Sequence, residues 1–326
     1  MARPESRRHA GAMNRSPGFE NAARSLHGLA LGDAFGQQWF FYRGSELTER
    51  QARRLAPEAT TWHWTDDTAM ALSVLHTLYT RDGIDRDALA ARFAAAYTAD
   101  PHRGYGGSMH GVLAAIGEGE SWRAVTRRQF EGQGSWGNGA AMRVAPLGAW
   151  YADADVADVV AEAGYSAQTT HAHPEAVAGA VAVAVAAWIA ARSRGERAPD
   201  PVGFLTEVAA YTPESDVASG VRAAARLPGE ASVPHAVSVL GNGLRISAPD
   251  TVPFALWTAA RHLDALDDAL WETARGMGDV DTTCAITGGV VAARTGVDGV
   301  HGTWLAAREP VPDWVDTGVP PARDTG

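Results

Sequence analysis

The sequence predicts an all-α protein on three observations: apolar residues recur at helical spacing from end to end, strand-like alternation is scarce, and Ala-rich segments alternate with Gly-rich loops. The clearest periodicity is Leu72, Leu75 and Tyr79, with Met70, Val74 and Leu78 at four-residue spacing beside them.

The first helix is expected over 20–32, where Gly28, Gly32 and Gly36 repeat around Asp33. That repeat leaves a strip without side chains, suited to close helix packing in a soluble protein. The next helix, Ala69 to Thr80, follows Trp64-Thr65-Asp66-Asp67-Thr68, and Ala-rich helices are expected over 87–99, 108–117 and 156–164. Helix 174–193 holds the most apolar run, Ala176 to Ala191, which falls short of the roughly 20 residues a membrane span requires and lacks Leu and Phe. It reads as a buried core helix. Further helices are expected over 202–210, 217–226 and 253–266, and the last, 282–294, follows Gly278-Asp279-Val280-Asp281-Thr282.

Between them lie Gly-rich loops, Arg103 to Ser108, Gly132 to Gly139, Gly241 to Gly243 and Gly276 to Gly278, which let backbone approach a ligand. No internal repeat or composition shift marks a linker. The expected organisation is one compact domain over 19–309, a disordered extension over 1–18 and a loosely packed, Pro-containing tail over 310–326.

The 326 residues, 46% of them hydrophobic, are enough to build a substantial core. A formal charge of -10 argues against a protein that coats nucleic acid or an anionic membrane. All 28 basic residues are Arg. Without lysine, a P-loop NTPase, a Schiff-base enzyme and a pyridoxal-phosphate enzyme are excluded. Cys284 is the only cysteine, which rules out an internal disulfide and a thiolate-rich metal site and fits a reducing cytoplasm. Met1 to Arg15 has no apolar stretch of the kind a secretory signal needs.

Thr65-Asp66-Asp67 and Asp279-Val280-Asp281-Thr282 each sit where a loop turns into an apolar-periodic helix. Helix capping is one reading, since Asp, Ser and Thr bond free N–H groups there. Capping accounts for one carboxylate per helix, whereas each start carries two with a hydroxyl neighbour, an oxygen set suited to Mg²⁺ or Mn²⁺. Gly132-Gln133-Gly134-Ser135-Trp136-Gly137 matches the G-x-G-x-x-G dinucleotide pattern without the strand such a site needs. With Asn138, Gly139 and Arg143 it suits a phosphate cradle. His171 and His173 fit a substrate hydrogen bond or structural roles better than zinc, for which further soft ligands are lacking. Cys284 reads as a small core residue.

Taken in order, these segments resemble the ADP-ribosylglycohydrolase family over about residues 24–296. The resemblance rests on Gly28-Leu29-Ala30-Leu31-Gly32-Asp33-Ala34-Phe35-Gly36, Thr65-Asp66-Asp67-Thr68, Arg103-Gly104-Tyr105-Gly106 and Gly137-Asn138-Gly139-Ala140-Ala141-Met142-Arg143. It continues through Thr170-His171, Leu240-Gly241-Asn242-Gly243 and Gly278-Asp279-Val280-Asp281-Thr282. It implies a compact multi-helix fold with a central binuclear Mg²⁺ or Mn²⁺ cleft, the metals held by Thr65, Asp66, Asp67, Asp279, Asp281 and Thr282, and hydrolysis of the glycosidic bond of ADP-ribose. By motif position it implies that Ser135, Gly137 and Asn138 lie along the phosphates and distal ribose. Phe130 or Trp136 would stack on adenine, His171 would contact the diphosphate or a ribose, and Leu244 would form part of the adenosine wall. Gly106, Ser108 and Gly134 complete the expected substrate-binding set.

One position departs from the family pattern: relatives often carry a Glu where this chain has Phe40. With Glu absent, Asp66 or Asp281 is expected to accept the proton. Two alternatives stay open, a non-catalytic ADP-ribose-binding homologue and a hydrolase of another conjugate, such as an ADP-ribosylated base or O-acetyl-ADP-ribose. The aromatic segment Trp39, Phe40, Phe41 and Tyr42 either faces the acceptor or belongs to the core. The expected partners are ADP-ribose and an ADP-ribosylated side chain such as Arg or Ser, with no membrane and no nucleic acid except as substrate, for a monomer.

Overall fold

A computed structural model describes residues 16–318. Among these there is no β-strand, only the isolated bridges Trp62–Arg308 and Gly137–Ser247. The expected all-α class is what the chain adopts, in a single compact body.

Two helices form its axis. Pro17–Gln38, capped by the Ser16 hydroxyl, lies against Val280–Thr295 with the backbones in direct contact. A Cβ on Gly32 would fall 2.0 Å from the Cys284 carbonyl oxygen, and one on Gly28 would fall 2.1 Å from the Ala292 Cβ. On Gly36 it would fall 2.5 Å from the Val280 oxygen and 2.6 Å from the Asp281 Cα. The glycine repeat therefore serves close packing, and it seats the start of the Val280 helix beside the turn that carries Asp33. Cys284 is fully buried in this contact, as a core residue.

Pro174–Arg192, the expected core helix, is long and apolar enough to cross a membrane by length and composition, yet 83% of its apolar window is buried inside the fold. Trp39 packs with Phe35, Trp62, Trp271 and Trp304 in an aromatic cluster behind the axis.

Several elements differ from expectation. The first helix is longer, because Ser16 and Pro17 supply a cap and an N1 proline ahead of position 20. The helix expected from 253 begins at Ala248 and carries Pro253 in its interior. Short helices at Gly44–Arg53, Trp122–Arg128, Ala145–Trp150, Val233–Leu240 and Leu266–Ala274 were not expected, being too short for their periodicity to stand out. The extension expected over 1–18 lies outside the described residues up to position 15, and helix has begun by Pro17. The tail from 310 is packed as far as it is described: Val311, Trp314 and Val315 are buried against Phe19, Leu26 and Leu75. Its three apolar side chains outweigh its prolines.

Candidate active site

Asp33 draws the first acidic segment onto the axis. Fully buried, it accepts at Oδ2 from Thr65 N (2.9 Å), Thr68 N (3.1 Å) and the Thr68 hydroxyl (2.6 Å), and at Oδ1 from the Thr65 hydroxyl (2.9 Å). Asp66 N donates to the Arg103 carbonyl at 2.7 Å, which sets Gly104 beside the Asp66 carboxylate. Both acidic helix starts thus fasten to the first helix and face each other across one cleft.

Capping uses only part of this carboxylate set: Asp281 Oδ1 accepts from Thr282 N at 2.9 Å in the first turn of its own helix. Helix Asp66–Arg81 is capped by the Thr65 hydroxyl, which accepts from Asp67 N, and Asp279 makes no side-chain capping bond to its helix. The carboxylates instead crowd one another. Burial first, then neighbouring carboxylates, pushes Asp66 up to about 8 and Asp67 and Asp281 well above the usual range; burial also raises Asp279, and Asp33 to about 6. The single Thr65 hydroxyl proton faces both Asp33 Oδ1 (2.9 Å) and Asp67 Oδ2 (3.1 Å), and Asp67 Oδ1 is buried with no hydrogen-bond partner. Such a cluster is short of positive charge. Among the described residues no three acidic, His or Cys side chains stand close enough together to form a ready-made ligand shell.

The cleft encloses about 360 Å³. Asp66, Asp67, Asp279, Asp281 and Thr282 line its base; Gly106, Ser108, Phe130, Ser135, Trp136, Gly137, Asn138 and His171 line its walls. Thr65 sits just beneath, bonded to Asp33 and Asp67. A second cavity of similar size, at Leu205, Trp257 and Arg261, holds no carboxylate cluster.

Two expected wall residues lie elsewhere. Leu244 is 75% exposed and borders a neighbouring groove. The turn closed by Ile246 N donating to the Gly243 carbonyl swings it outward and brings Arg245 and Ile246 into the cleft instead. Gly134 lies behind the wall, where its φ of +80° and a hypothetical Cβ 2.8 Å from His173 N leave room for no side chain. Arg143 does not reach a phosphate cradle. It is fully buried, bonded to the Gly139 and Ser166 carbonyls and the Thr170 hydroxyl, and stacked 4.4 Å from the Phe93 ring centroid.

Asn138 has a double duty: its Nδ2 donates to Asp279 Oδ2 at 2.6 Å and to the Thr251 hydroxyl at 3.0 Å, so it orients the second acidic segment. The Gly241-Asn242-Gly243 turn does the same, for Asn242 O accepts from Asp279 N and a Cβ on Gly243 would fall 2.6 Å from that of Asp279. His171 borders the cleft, whereas His173 caps the Pro174 helix by accepting from Glu175 N, a structural role. Of the Trp39–Tyr42 segment, Trp39 is buried, Phe40 and Tyr42 pack on the core and Phe41 is exposed; none borders the cleft. The anchoring role of Asp33 was missed from its motif alone, since its partners lie 32 and 35 residues away.

The model of the family described as ADP-ribosylglycohydrolase matches residues 15–319. The human protein named ADP-ribosylhydrolase ARH3 is 31% identical over 88% of this chain and 91% of its own length. The chain belongs to the ADP-ribosylglycohydrolase family. An uncharacterised protein of Archaeoglobus fulgidus is also 31% identical, over 84% of this chain and 88% of its own length. A solved structure titled as an ADP-ribosylglycohydrolase-related protein complex superposes with a TM-score of 0.60 over 90% of this chain and 93% of that one, at 22% identity, a likeness of fold. The seven ADP-ribosylglycohydrolase motifs named from sequence thus stand on one fold, five lining the carboxylate cleft and two, around Asp33 and Asn242, lying just behind it.

Proposed function

We propose that this protein hydrolyses the glycosidic bond between ADP-ribose and an acceptor, an ADP-ribosylated protein side chain such as Arg or Ser, with two divalent cations, Mg²⁺ or Mn²⁺. The observation that carries the reading is the crowding of Asp66, Asp67, Asp279 and Asp281 at the base of one cleft, all raised by burial and neighbouring carboxylates. Thr65, Asp66, Asp67, Asp279, Asp281 and Thr282 would hold the cations, which relieve that repulsion. Bound there, divalent cations supply charge to orient ribose hydroxyls and to acidify water.

The chain's own residues do the rest. Asn138 fixes the Asp279 carboxylate, and Asp33 fixes the turn that bears Asp66 and Asp67. Phe130 and Trp136, 55% and 54% exposed at the cleft walls, offer ring faces to adenine. Phe40 takes no part. Asp66 or Asp281 accepts the proton from the attacking water, as carboxylates that border the cleft. We take the enzyme to act as a monomer in the cytoplasm, in keeping with its single, buried cysteine.

Phe40 favours a second reading, an ADP-ribose-binding homologue without turnover. Incubation with ADP-ribosylated Arg and Ser peptides, with Mg²⁺, with Mn²⁺ or with EDTA, separates the two. Free ADP-ribose released by the wild-type protein with metal, and lost in D281A that still folds, is the expected outcome. Tight binding of ADP-ribose with no release under any condition would establish the second reading.

A further inference from the structure

We propose that Thr170 and Arg143 are positioning residues that lock His171 in a single neutral tautomer, with the proton on Nε2, so that the ring presents an N–H donor to an anionic or hydroxyl-bearing group in the cleft. The inference rests on the ADP-ribose reading for the identity of that group, but not for the tautomer.

The protons between Arg143, Thr170 and His171 are few enough to count. Arg143 Nη1 lies 2.9 Å from the Thr170 hydroxyl oxygen, and that oxygen lies 2.7 Å from His171 Nδ1. A guanidinium only donates, so the Thr170 oxygen accepts from Arg143. Burial lowers the Arg143 guanidinium to about 9, which still leaves it charged at neutral pH. The hydroxyl has one proton, and His171 Nδ1 is its remaining side-chain partner. Nδ1 must therefore accept, and a neutral imidazole that accepts at Nδ1 carries its proton on Nε2. A proton on Nδ1 would leave the buried hydroxyl with two donors pointing at it and its own proton without an acceptor.

The other side of the ring is shaped for a ligand. His171 is buried apart from its edge on the cleft, and among the described residues Nε2 has no hydrogen-bond partner. It sits beside two glycines: a Cβ on Gly139 would fall 3.1 Å from Nε2 and one on Gly137 would fall 3.2 Å. Side chains there would crowd the donor, whereas the glycines leave it open beside their own backbone. Arg143 also holds the Gly139 carbonyl at 3.2 Å, so one buried cation fixes both the loop and, through Thr170, the ring. Burial and then Arg143 push the imidazolium down to about 3, which keeps the donor neutral across the physiological range.

Nitrogen-15 NMR of the uniformly labelled, metal-free protein reads the tautomer directly, the His171 signals being assigned by their loss in H171N. The expected wild-type pattern is a neutral ring with the proton on Nε2 and no change from pH 5 to 8. T170V should lose the fixed pattern and bind ADP-ribose about tenfold more weakly. T170S, which keeps the hydroxyl, should restore both. A wild-type ring protonated on Nδ1, or a T170V ring that keeps Nε2–H, would overturn the proposal, and the wild-type spectrum decides even if T170V does not fold. If the wild-type tautomer is as expected but ADP-ribose does not bind at all, the functional reading fails and the relay stands.

Discussion

Asp33 accepts four hydrogen bonds from Thr65 and Thr68 and so holds the turn that carries Asp66 and Asp67. The carboxylates that face the cleft stand out in sequence because Asp-Asp and Asp-x-Asp at helix starts exceed what capping needs. Asp33 looks like a lone polar residue on a glycine stripe, and its role exists only because residues 65 and 68 return to it. Replacing it with Ala removes the acceptor for two buried N–H groups and two hydroxyls. D33A should therefore cost about 3 kcal/mol or more in denaturant unfolding, and weaken Mn²⁺ binding measured by titration calorimetry. D33N is the sharper control, because an amide oxygen in place of Oδ2 still serves three donors while its Nδ2 can donate to Thr65, freeing that hydroxyl for Asp67. It should retain most of the stability. Wild-type melting and Mn²⁺ affinity in D33A would mean that the Thr65 turn holds its shape without the anchor.

Long periodic helices were readable as elements; their contacts were less so. The stripe Gly28, Gly32, Gly36 predicted close packing, but not that the partner would be the very helix that bears Asp281, since sequence spacing says nothing of what lies opposite. The short helices and the start at Ala248 were missed where one or two turns give too few apolar repeats, or where an interior proline imitates a first turn. Gly32 tests the packing. Its added methyl would meet the Cys284 backbone oxygen, which no rotamer change can move, so G32A should destabilise by about 3 kcal/mol or force the two helices apart. Gly111 is the counterpart, exposed within helix Gly107–Gly117 with nothing within 4 Å of a Cβ. G111A should stabilise by about 0.5–1 kcal/mol, because there the substitution acts only on backbone entropy. Equal effects at the two sites, measured by chemical denaturation, would remove the close-packing account.

For the whole molecule, fold class and family were legible while the closing strap was not. Residues 302–317 run back across the first acidic segment: Trp62 N donates to the Ala307 carbonyl at 2.7 Å, and Arg103 holds Glu309 through two guanidinium contacts of 2.8 and 2.9 Å. A tail read from its prolines alone looks loose, because its partners lie more than 200 residues away. The fold therefore clamps the acidic starts from the axis on one side and the strap on the other, and the clamp has a consequence for pH. In the unfolded chain Asp66 titrates near 3.8, whereas in the metal-free fold burial raises it to about 8. Between those values the unfolded chain has released a proton that the fold still holds, so rising pH favours unfolding. Asp67, Asp279 and Asp281 are shifted in the same direction. Their contribution to stability is whole below about pH 4 and is lost as pH rises toward 8. Thermal unfolding in EDTA should thus fall by several degrees between pH 5.5 and pH 8. Saturating Mg²⁺ or Mn²⁺ should raise the melting temperature most at pH 8, where cations face carboxylates already short of protons, and least at pH 5.5, where they must displace them. A metal effect that is equal at both values, or largest in acid, would show that the carboxylate cluster is not where the cations bind.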